Sequence, residues 1–536
     1  MMAVKINFFI LLFTFSIAEY VRSAHILGVP VYGKSHAFVF MKIGRELVKR
    51  GHRFSMVIPS VFEEELRLKE TAKGLQVVSF NCNFKQADLE RLVMMQTLGK
   101  WKEFSDGFGA MVHEVCEDTL RSDIYAQKLH DANFMLCDVS LPCCPILADK
   151  LGIQRVDILP TGFGDPILSI IHNFPASLAQ IPQFPCFVPM PKPSFFGRVQ
   201  NLMIYSLMYV HTFHFTGLFR KLRKQYTPNS KYENLEGLVR STGLLLIPVD
   251  FALAKSRTIE PYMKVVGPIL PEPSKPLPYN FLEIISSGPF RDVVLVSFGT
   301  IISDFKEGFV DTVISALNEI PATVIWKYKG KMPPNVGQNV KIVPWFPQND
   351  LLGNSATKVF VTHAGLNSIY EACFHGVPMV VVPFFADQFS NALEAVNTGV
   401  GEMIKINDIT AENLINTIQK VLTNQSYTAN AKKLASKMIY PGRTISTADG
   451  HTHTQLPAMI RTPTEQAADW IEYGLHYDAG LHFRSEADKL SFIEAYMLDA
   501  ILFCVIGLIV FLKLLCAIGR WLVKLCWILT SKQKTE

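Results

Sequence analysis

The chain of 536 residues lacks a strong excess of charge of either sign. Lysine and arginine total 52, aspartate and glutamate total 47, and the net charge is +5. Nucleic-acid-binding proteins usually concentrate basic residues, so this balance gives no support for that class. Charged residues make up only 18% of the chain and apolar residues 49%. This is the composition of a globular protein with the larger apolar share that membrane proteins have. The length is sufficient for two or three domains.

Signatures of metal and dinucleotide sites are also missing. Ten cysteines are too few for a disulfide scaffold in a chain of this length, and none has the spacing of a zinc site. Neither Gly107-Phe-Gly109 nor Gly399-Val-Gly401 completes the Gly-x-Gly-x-x-Gly pattern, which argues against a dinucleotide oxidoreductase. One or two disulfides are possible, but the sequence does not show which cysteines pair. Cys143 and Cys144 are adjacent in the chain.

Both ends of the chain carry targeting patterns. Residues 1–23 combine Lys5, an apolar run and small residues before a cleavage point, which predicts a secretory signal peptide. Residues 495–518 form an apolar segment of the length that crosses a bilayer. The remaining residues, 519–536, carry more basic than acidic side chains, which predicts a short cytosolic tail and a type I orientation.

Two short motifs refine the predicted location. Lys532 and Lys534 near the end of the tail resemble a dilysine retrieval signal, which favours the endoplasmic reticulum membrane with the main domains in the lumen. Asn424 begins the chain's single Asn-x-Ser/Thr sequon and is the predicted glycosylation site. Whether the protein is a homo-oligomer or a hetero-oligomer stays open.

Short apolar runs alternate with helical patterns in both halves of the chain. This rhythm predicts an α/β protein with doubly wound parallel sheets. A proline-rich run at 267–280 resembles a linker, so we expect one domain at 24–270 and a second at 271–494. The predicted strands are 24–32, 53–59, 75–80, 133–138, 155–159, 292–299, 323–328, 340–345, 358–363 and 378–384.

Two segments depart from this rhythm. Residues 202–215 form an aromatic-rich helix with little charge, which either packs in the core or presents an apolar surface to a membrane or an acceptor. Residues 440–460 are polar and unpatterned, and we interpret them as an exposed loop or insertion. A metal site at His451 and His453 is the alternative there, although no further ligands lie nearby in the sequence.

The stretch 361–388 places polar residues where two predicted strands end. Ligands of open parallel sheets bind beyond the carboxyl ends of the strands. A helix that begins near Asn367 and Ser368 would direct free N–H groups at a diphosphate, and His363 could donate to a phosphate oxygen. Glu371 could accept both hydroxyls of a ribose. Asp387 and Gln388 could hydrogen-bond the hydroxyls of a sugar.

Further groups of a nucleotide site lie upstream of His363. Trp345 offers a face on which a base can stack, worth about 1–3 kcal/mol where such stacking has been tested. The carboxamide of Gln348 can read the edge of a uracil. Another predicted strand ends in the small turn from Ser297 to Thr300, whose backbone N–H groups could bind phosphate.

The segment from Trp345 to Gln388, "WFPQNDLL…VTHAGLNSIYEACFHGVPMVVVPFFADQ", resembles the signature of the UDP-glycosyltransferases. With the predicted anchor and tail, the chain resembles the membrane-bound UDP-glucuronosyltransferases. The resemblance implies a GT-B fold, in which two Rossmann-like domains face a cleft, and a UDP-sugar co-substrate without a metal or other cofactor. It also implies the roles given above for the residues between Trp345 and Gln388. Relatives often carry glycine at the position of Ala364.

A base for the reaction is expected in the first half. His36 follows the first predicted strand and could take the proton of an acceptor hydroxyl. Asp138 ends another predicted strand of the same sheet and could orient the imidazole. The resemblance implies these same two roles. The sequence therefore predicts transfer of a sugar to a small lipophilic acceptor, with inversion of configuration.

The donor sugar is the least determined feature. Arg257 lies in a segment that is similar to one in the family whose arginine is near the donor, which favours glucuronate. UDP-glucose is the alternative donor. A catalytically inert membrane protein that binds lipophilic molecules is a further alternative, against which the presence of the polar residues above argues.

Overall fold

A computed structural model describes residues 23–30, 33–67, 74–140, 142–164, 166–181, 194–299, 308–438, 445–446, 452–453, 461–485, 490, 492–495 and 497–532. The chain forms two compact units, one extending to Phe483 and one from Arg484 onward. The first unit contains two parallel sheets of Rossmann type, each covered by helices. This is the doubly wound α/β fold that the alternation of strands and helices predicts.

The first sheet has seven parallel strands in the order β3-β2-β1-β4-β5-β6-β7. Its central strands are almost wholly apolar and buried, because helices cover both faces. The predictions for 53–59 and 75–80 match the observed strands, whereas the two short strands after residue 240 escaped prediction. The strands are β1 His25–Val29, β2 Arg53–Pro59, β3 Leu75–Phe80, β4 Phe134–Asp138, β5 Gln154–Ile158, β6 Leu245–Ile247 and β7 Met263–Val265.

Helices connect these strands and pack on the sheet. The predicted aromatic helix is confirmed but extends well beyond 202–215 at both ends. The helices are α1 Lys34–Lys49, α2 Glu63–Arg67, α3 Gln86–Thr97, α4 Trp101–Arg121, α5 Ile124–Lys128, α6 Cys143–Leu151, α7 Pro166–Ile171, α8 Phe195–Tyr226 and α9 Leu235–Val239.

The second sheet has six parallel strands in the order β10-β9-β8-β11-β12-β13. Strand β8 is completely buried, as expected for the centre of a sheet covered on both faces. The strands are β8 Val293–Ser297, β9 Thr323–Lys327, β10 Val340–Val343, β11 Thr357–Thr362, β12 Met379–Val381 and β13 Gly401–Met403.

The helices of this half surround the second sheet, except for the last, which returns to the first. They are α10 Tyr279–Ser287, α11 Phe309–Asn318, α12 Gln348–Leu352, α13 Leu366–His375, α14 Gln388–Asn397, α15 Ala411–Thr423, α16 Gln425–Lys437 and α17 Pro463–His476. Arg50, just after α1, donates to Asp469 and Glu472 of α17, each at 2.7 Å. These ion pairs hold α17 against the half of the unit that contains the first sheet.

Two disulfides link neighbouring elements beside the first sheet. Cys116 of α4 is bonded to Cys143, and Cys137 of β4 is bonded to Cys144. The adjacent cysteines at the start of α6 are thus tied to two different elements. This pairing resolves what the sequence left open, since sequence spacing carries no information on which cysteines meet.

Most of the segment 440–460 lies outside the described residues. Ile445–Ser446 and Thr452–His453 pair as two short antiparallel strands, β14 and β15. The second unit contains α18 Phe492–Ala495 and α19 Leu498–Lys532. Residues Leu498–Lys524 have a mean hydropathy of 3.0 over their most apolar window and form a candidate membrane span. This span starts three residues later than the predicted segment 495–518 and runs further into the predicted tail.

Candidate functional site

The first sheet places His36 at the carboxyl end of β1. The helix α1 begins at Lys34, so His36 lies in the first turn of the helix. Gly33 precedes the helix with a φ of 100°, a conformation open to glycine but strained for most residues. The glycine therefore allows the chain to turn sharply from β1 and to hold the imidazole at the edge of the sheet.

His36 and Asp138 form a buried pair. The Nδ1 atom of His36 lies 2.6 Å from Oδ2 of Asp138, which is fully buried at the end of the neighbouring strand β4. The other carboxylate oxygen of Asp138 accepts a hydrogen bond from the backbone N–H of Ser140 at 2.9 Å. With Nδ1 directed at the carboxylate, Nε2 is the nitrogen left for a substrate.

The electrostatics of this pair favour a protonated imidazole. Burial opposes the charge of His36, but the attraction and hydrogen bond of Asp138 outweigh it, so the pKa of His36 is raised above its usual 6.5. The carboxylate of Asp387, which belongs to the half of the unit containing the second sheet, raises the pKa further. His36 therefore lies within electrostatic reach of the opposite side of the cleft.

The second sheet holds a different histidine at its carboxyl edge. His363 follows β11, and its ring lies between the backbones of Gly299 and Gly365. A Cβ atom added at either glycine would come within 2.6 Å or 2.5 Å of Nε2 of the ring. Burial and the positive charge of Lys327 lower the pKa of His363 to about 3. His363 is therefore neutral at physiological pH and can still donate one N–H hydrogen bond.

The turn after His363 is strained. Ala364 is fully buried and has a φ of 67°, a left-handed conformation that costs a non-glycine residue about 1–2 kcal/mol. The carbonyl oxygen of Ala364 accepts a hydrogen bond from Nδ2 of Asn391 at 3.1 Å. Compared with glycine, the methyl group of Ala364 therefore has two effects. It strains the backbone, and it adds bulk near the expected phosphates.

The groups predicted to bind uridine are brought together beside α13. Nε2 of Gln348 donates to Oε2 of Glu371 at 2.5 Å and to Oγ of Ser368 at 3.1 Å. Burial raises the pKa of Glu371 to about 7, although Gln348 and Lys327 lower it in part. Trp345 is 53% exposed, so it is accessible to a ligand.

Asp387 and Gln388 lie where the two halves of the first unit meet. A Cβ atom added at Gly164, in the turn after β5, would lie 2.9 Å from Cβ of Asp387. The carboxylate of Asp387 accepts from Asn391 at 2.7 Å. Oε1 of Gln388 accepts the backbone N–H groups of Phe384 and Phe385. The carboxamide of Gln388 therefore also holds the turn that presents Asp387.

The remaining predicted residues have varied positions. Ser297 is fully buried at the end of β8, and its hydroxyl lies 3.5 Å from the backbone nitrogen of Gly299, so it shapes the turn. Thr300 lies outside the described residues. Asn367 lies in the first turn of α13 and is partly exposed. Asn424 is exposed, and its side chain accepts from the backbone of Ser426 at the start of α16.

Two cations adjoin the site. Lys327 ends β9 and acts electrostatically on both His363 and Glu371, but sequence reasoning missed it. Its position at the carboxyl end of a predicted strand is the signal that could have found it. The guanidinium of Arg257 stacks on the ring of Phe163 at 4.2 Å, one residue before Gly164. Burial lowers the pKa of Arg257 to about 10, so it remains charged at neutral pH.

Comparison with known proteins identifies the family. The family model described as UDP-glucoronosyl and UDP-glucosyl transferase matches residues 24–534. The chain belongs to this family. The human UDP-glucuronosyltransferase 2A3 is 28% identical over 490 residues, which cover 87% of each chain. The bovine UDP-glucuronosyltransferase 3A1 is 29% identical over 518 residues, covering 94% of each.

Relatives differ in the sugar that they are named for. The mouse 2-hydroxyacylsphingosine 1-beta-galactosyltransferase is 26% identical over 526 residues, covering 96% of this chain and 91% of the relative. This family membership and the candidate span mark the protein as a membrane-anchored glycosyltransferase that uses a UDP-sugar donor and an acceptor substrate. The names of the relatives do not select one sugar.

Solved structures show the same fold. The glycotransferase of kitacinnamycin matches with a TM-score of 0.56 and 20% identity, covering 84% of this chain and 99% of that one. Os79 from O. sativa, solved in complex with U2F and trichothecene, matches with a TM-score of 0.53 and 21% identity, covering 77% and 95%. The predicted GT-B fold, with two Rossmann-type sheets, is therefore confirmed.

Proposed function

We propose that this protein transfers glucuronic acid from UDP-glucuronate to a hydroxyl or similar nucleophile of a small lipophilic acceptor, with inversion at the anomeric carbon. The contact between His36 and Asp138, within electrostatic reach of Asp387, is the observation that carries the proposal. In this proposal the base lies on one sheet and the groups for the sugar donor lie on the other. The acceptor would bind in the domain at 24–270 and the donor in the domain at 271–494.

In the proposed step, Nε2 of His36 takes the proton of the acceptor hydroxyl. The acceptor oxygen forms a bond to the anomeric carbon while the bond from that carbon to the oxygen of UDP breaks. Asp138 keeps Nδ1 protonated and stabilises the imidazolium as it forms. Its complete burial strengthens this effect, because the interaction of the two charges is little screened by water.

UDP leaves as an anion, and the second sheet supplies positive potential where that charge develops. The backbone N–H groups at the start of α13, near Asn367 and Ser368, would point at the diphosphate. His363 would donate its single N–H to it in exchange for its present hydrogen bond to the backbone of Ser297, and Lys327 would add a positive charge. Backbone N–H groups of the turn from Ser297 to Thr300 would complete the phosphate site.

The remaining donor contacts follow the chemistry of the groups. Uracil would stack on Trp345 and hydrogen-bond Gln348, and the ribose would bind Glu371. For this, the amide of Gln348 must exchange its present contacts with Ser368 and Glu371 for the base. Asp387 and the amide nitrogen of Gln388 would bind hydroxyls of the sugar. None of these contacts uses a metal ion or a cofactor.

Glucuronate is favoured over neutral sugars because its carboxylate needs a cation. Arg257 is charged and stacks on Phe163. The next residue, Gly164, lies against Asp387. The guanidinium of Arg257 supplies the charge with which a ligand carboxylate would pair. UDP-glucose is the alternative donor, and an inert lipophile-binding protein is a weaker alternative.

A UDP-release assay separates these cases. The full-length protein in detergent or membranes is given a panel of phenols with either UDP-glucuronate or UDP-glucose. We expect release from UDP-glucuronate that depends on the phenol, and a loss of this preference in Arg257→Met. Release of UDP from UDP-glucose by the wild type would show that glucose, rather than glucuronate, is the donor sugar. No release from either donor would favour the inert lipophile-binding protein.

We also propose that the protein resides in the endoplasmic reticulum membrane as a type I protein, with glycosylation at Asn424. The buried disulfides support placement of the first domain in an oxidising compartment such as the lumen. Residues 1–23 as a signal peptide and 519–536 as a cytosolic tail complete this topology. A shift in gel mobility on glycosidase treatment, lost in Asn424→Gln, tests it.

Helix α8 supports a second contact with lipid. Its exposed side chains include Phe196, Leu207 and Val210, which are 79%, 67% and 69% exposed. The helix contains no acidic residue, whereas Arg and Lys occur in it. Such a surface fits an anionic bilayer interface better than water. Labelling of this helix by a lipid-phase photoprobe in membranes, reduced in Leu207→Asp/Val210→Asp, is the expected result.

A further inference from the structure

The loop that carries Asp138 is closed by a disulfide. Cys137 directly precedes Asp138 at the end of β4, and its bond to Cys144 closes residues 137–144 into a covalent ring. Side chains alternate along a strand, so Cys137 and Asp138 point to opposite faces of the sheet. The sulfur anchors the strand end from one face while the carboxylate meets His36 on the other.

The second disulfide extends this anchor. Cys143 adjoins Cys144 and is bonded to Cys116 on α4. All four cysteines are at most 1% exposed. The strand end, the start of α6 and the side of α4 are thus joined covalently in series.

The described contacts of Asp138 itself are hydrogen bonds, which are less rigid than the neighbouring disulfide. Its carboxylate is held by Nδ1 of His36 and by the backbone N–H of Ser140, which itself belongs to the disulfide ring. Within the described part of the chain, the imidazole is the only group outside the ring that hydrogen-bonds this carboxylate. The orientation of Asp138 therefore depends on the conformation of the ring.

We infer that Cys137 and Cys144 are positioning residues for the transfer reaction, because their disulfide fixes the loop that holds Asp138 against His36. The inference rests on the proposed role of His36 as the base. The Cys116–Cys143 bond also encloses Asp138 in its longer loop, but it joins α4 to the start of α6 and does not hold the strand end that carries Asp138, so it serves mainly to stabilise the packing of α4 on α6.

The two disulfides give a matched pair of variants, Cys137→Ala/Cys144→Ala and Cys116→Ala/Cys143→Ala. Each removes two buried sulfur atoms. A bond that closes a longer loop stabilises more in the chain-entropy account, and the loops span 7 and 27 residues of sequence separation. A purely structural role for both bonds thus predicts the larger loss of melting temperature and of activity in Cys116→Ala/Cys143→Ala.

The inference predicts the opposite order for activity. In Cys137→Ala/Cys144→Ala, kcat should fall about 10–100-fold, as small misplacements of catalytic groups do, with KM for the donor and the affinity for UDP unchanged. The acid limb of the kcat/KM profile should also move to lower pH. In Cys116→Ala/Cys143→Ala, kcat should fall by less than about threefold while the melting temperature drops more.

Several outcomes would overturn the inference. Free thiols at Cys137 and Cys144 in peptide mass spectrometry of the unreduced protein would do so, as would a wild-type kcat in Cys137→Ala/Cys144→Ala. If that variant no longer binds UDP, the experiment is repeated with Cys137→Val/Cys144→Ala. Valine refills more of the volume that the sulfur atoms leave empty. Loss of UDP binding in this variant as well would show a structural role.

His36→Ala separates this failure from failure of the proposed function. If His36→Ala is inactive while Cys137→Ala/Cys144→Ala is fully active, only the positioning role is wrong. If His36→Ala keeps its turnover, the base itself is wrong, and the effect of the disulfide on catalysis loses its explanation.

Discussion

Two histidines lie at the carboxyl edges of the two sheets, and their pKa values are shifted in opposite directions. His36 follows β1 of the first sheet and His363 follows β11 of the second, each at a carboxyl edge. Asp138 raises the pKa of His36, whereas burial beside Lys327 lowers the pKa of His363 to about 3. The same side chain is thus shifted toward the protonated form in one sheet and toward the neutral form in the other.

The comparison shows that the surroundings of a residue, rather than its type alone, set its chemistry. His36 has a buried carboxylate as its partner, and the positive charge of an imidazolium is stabilised there. His363 has the backbones of two glycines on its sides and a lysine nearby, so a proton on it would be repelled. Four predictions test the difference, beginning with the largest expected effect.

Replacement of His36 by alanine should reduce turnover of hydroxyl acceptors about 10³-fold, within the usual contribution of a general base. Calorimetry should show unchanged affinity for UDP, because His36 belongs to the other sheet. A parallel loss of UDP affinity would mean that the two histidines share one function, contrary to the comparison.

Replacement of His363 by alanine should give the reverse division. UDP affinity should fall about 10–100-fold, the range for a lost hydrogen bond to a charged group. Uridine, which lacks phosphates, should bind as in the wild type, and this serves as the internal control. Weaker binding of uridine would place His363 at the nucleoside rather than at the diphosphate.

The affinity for uridine should depend on pH through Glu371. Its folded pKa of about 7 exceeds its usual value of 4.5, and the ionised form accepts both ribose hydroxyls best. Affinity should therefore fall as pH drops below 7, by up to about tenfold per unit. Glu371→Gln should bind weakly and without this dependence; a pH-dependent Glu371→Gln would assign the titration to another group.

The smallest effect concerns the turn beside His363. Ala364→Gly should relieve the left-handed strain and stabilise the protein by about 0.5–1 kcal/mol. Ala372→Gly, at a buried position inside α13, is the matched control and should destabilise by about 1 kcal/mol. Equal changes in melting temperature for the two variants would show that Ala364 is unstrained.

Much of the fold was predictable because the strands are apolar and end at polar turns. The strands at 53–59 and 75–80 match the prediction residue by residue, whereas β6, β7 and β13 were missed. Each of those has only three residues, which is too short to show a period. The length of the aromatic helix was underestimated, because its last two turns carry charged residues of the kind found in exposed loops.

The candidate site was predictable in part. The proximity of His36 and Asp138 follows from topology, because both lie at the ends of adjacent parallel strands. The disulfide pairing, the strain at Ala364 and the role of Lys327 did not follow. Each depends on distances between segments far apart in the sequence, and a lysine at a strand end is ordinary by itself.

The most direct test of the account is the pH dependence of kcat/KM for a phenolic acceptor, measured for the wild type and Asp138→Asn. In the wild type the acid limb should lie above pH 6.5, because the raised pKa of the free enzyme belongs to His36. In Asp138→Asn the limb should move to lower pH and the maximum should fall. An acid limb at the same pH in both proteins would contradict the assignment of His36 as the base oriented by Asp138.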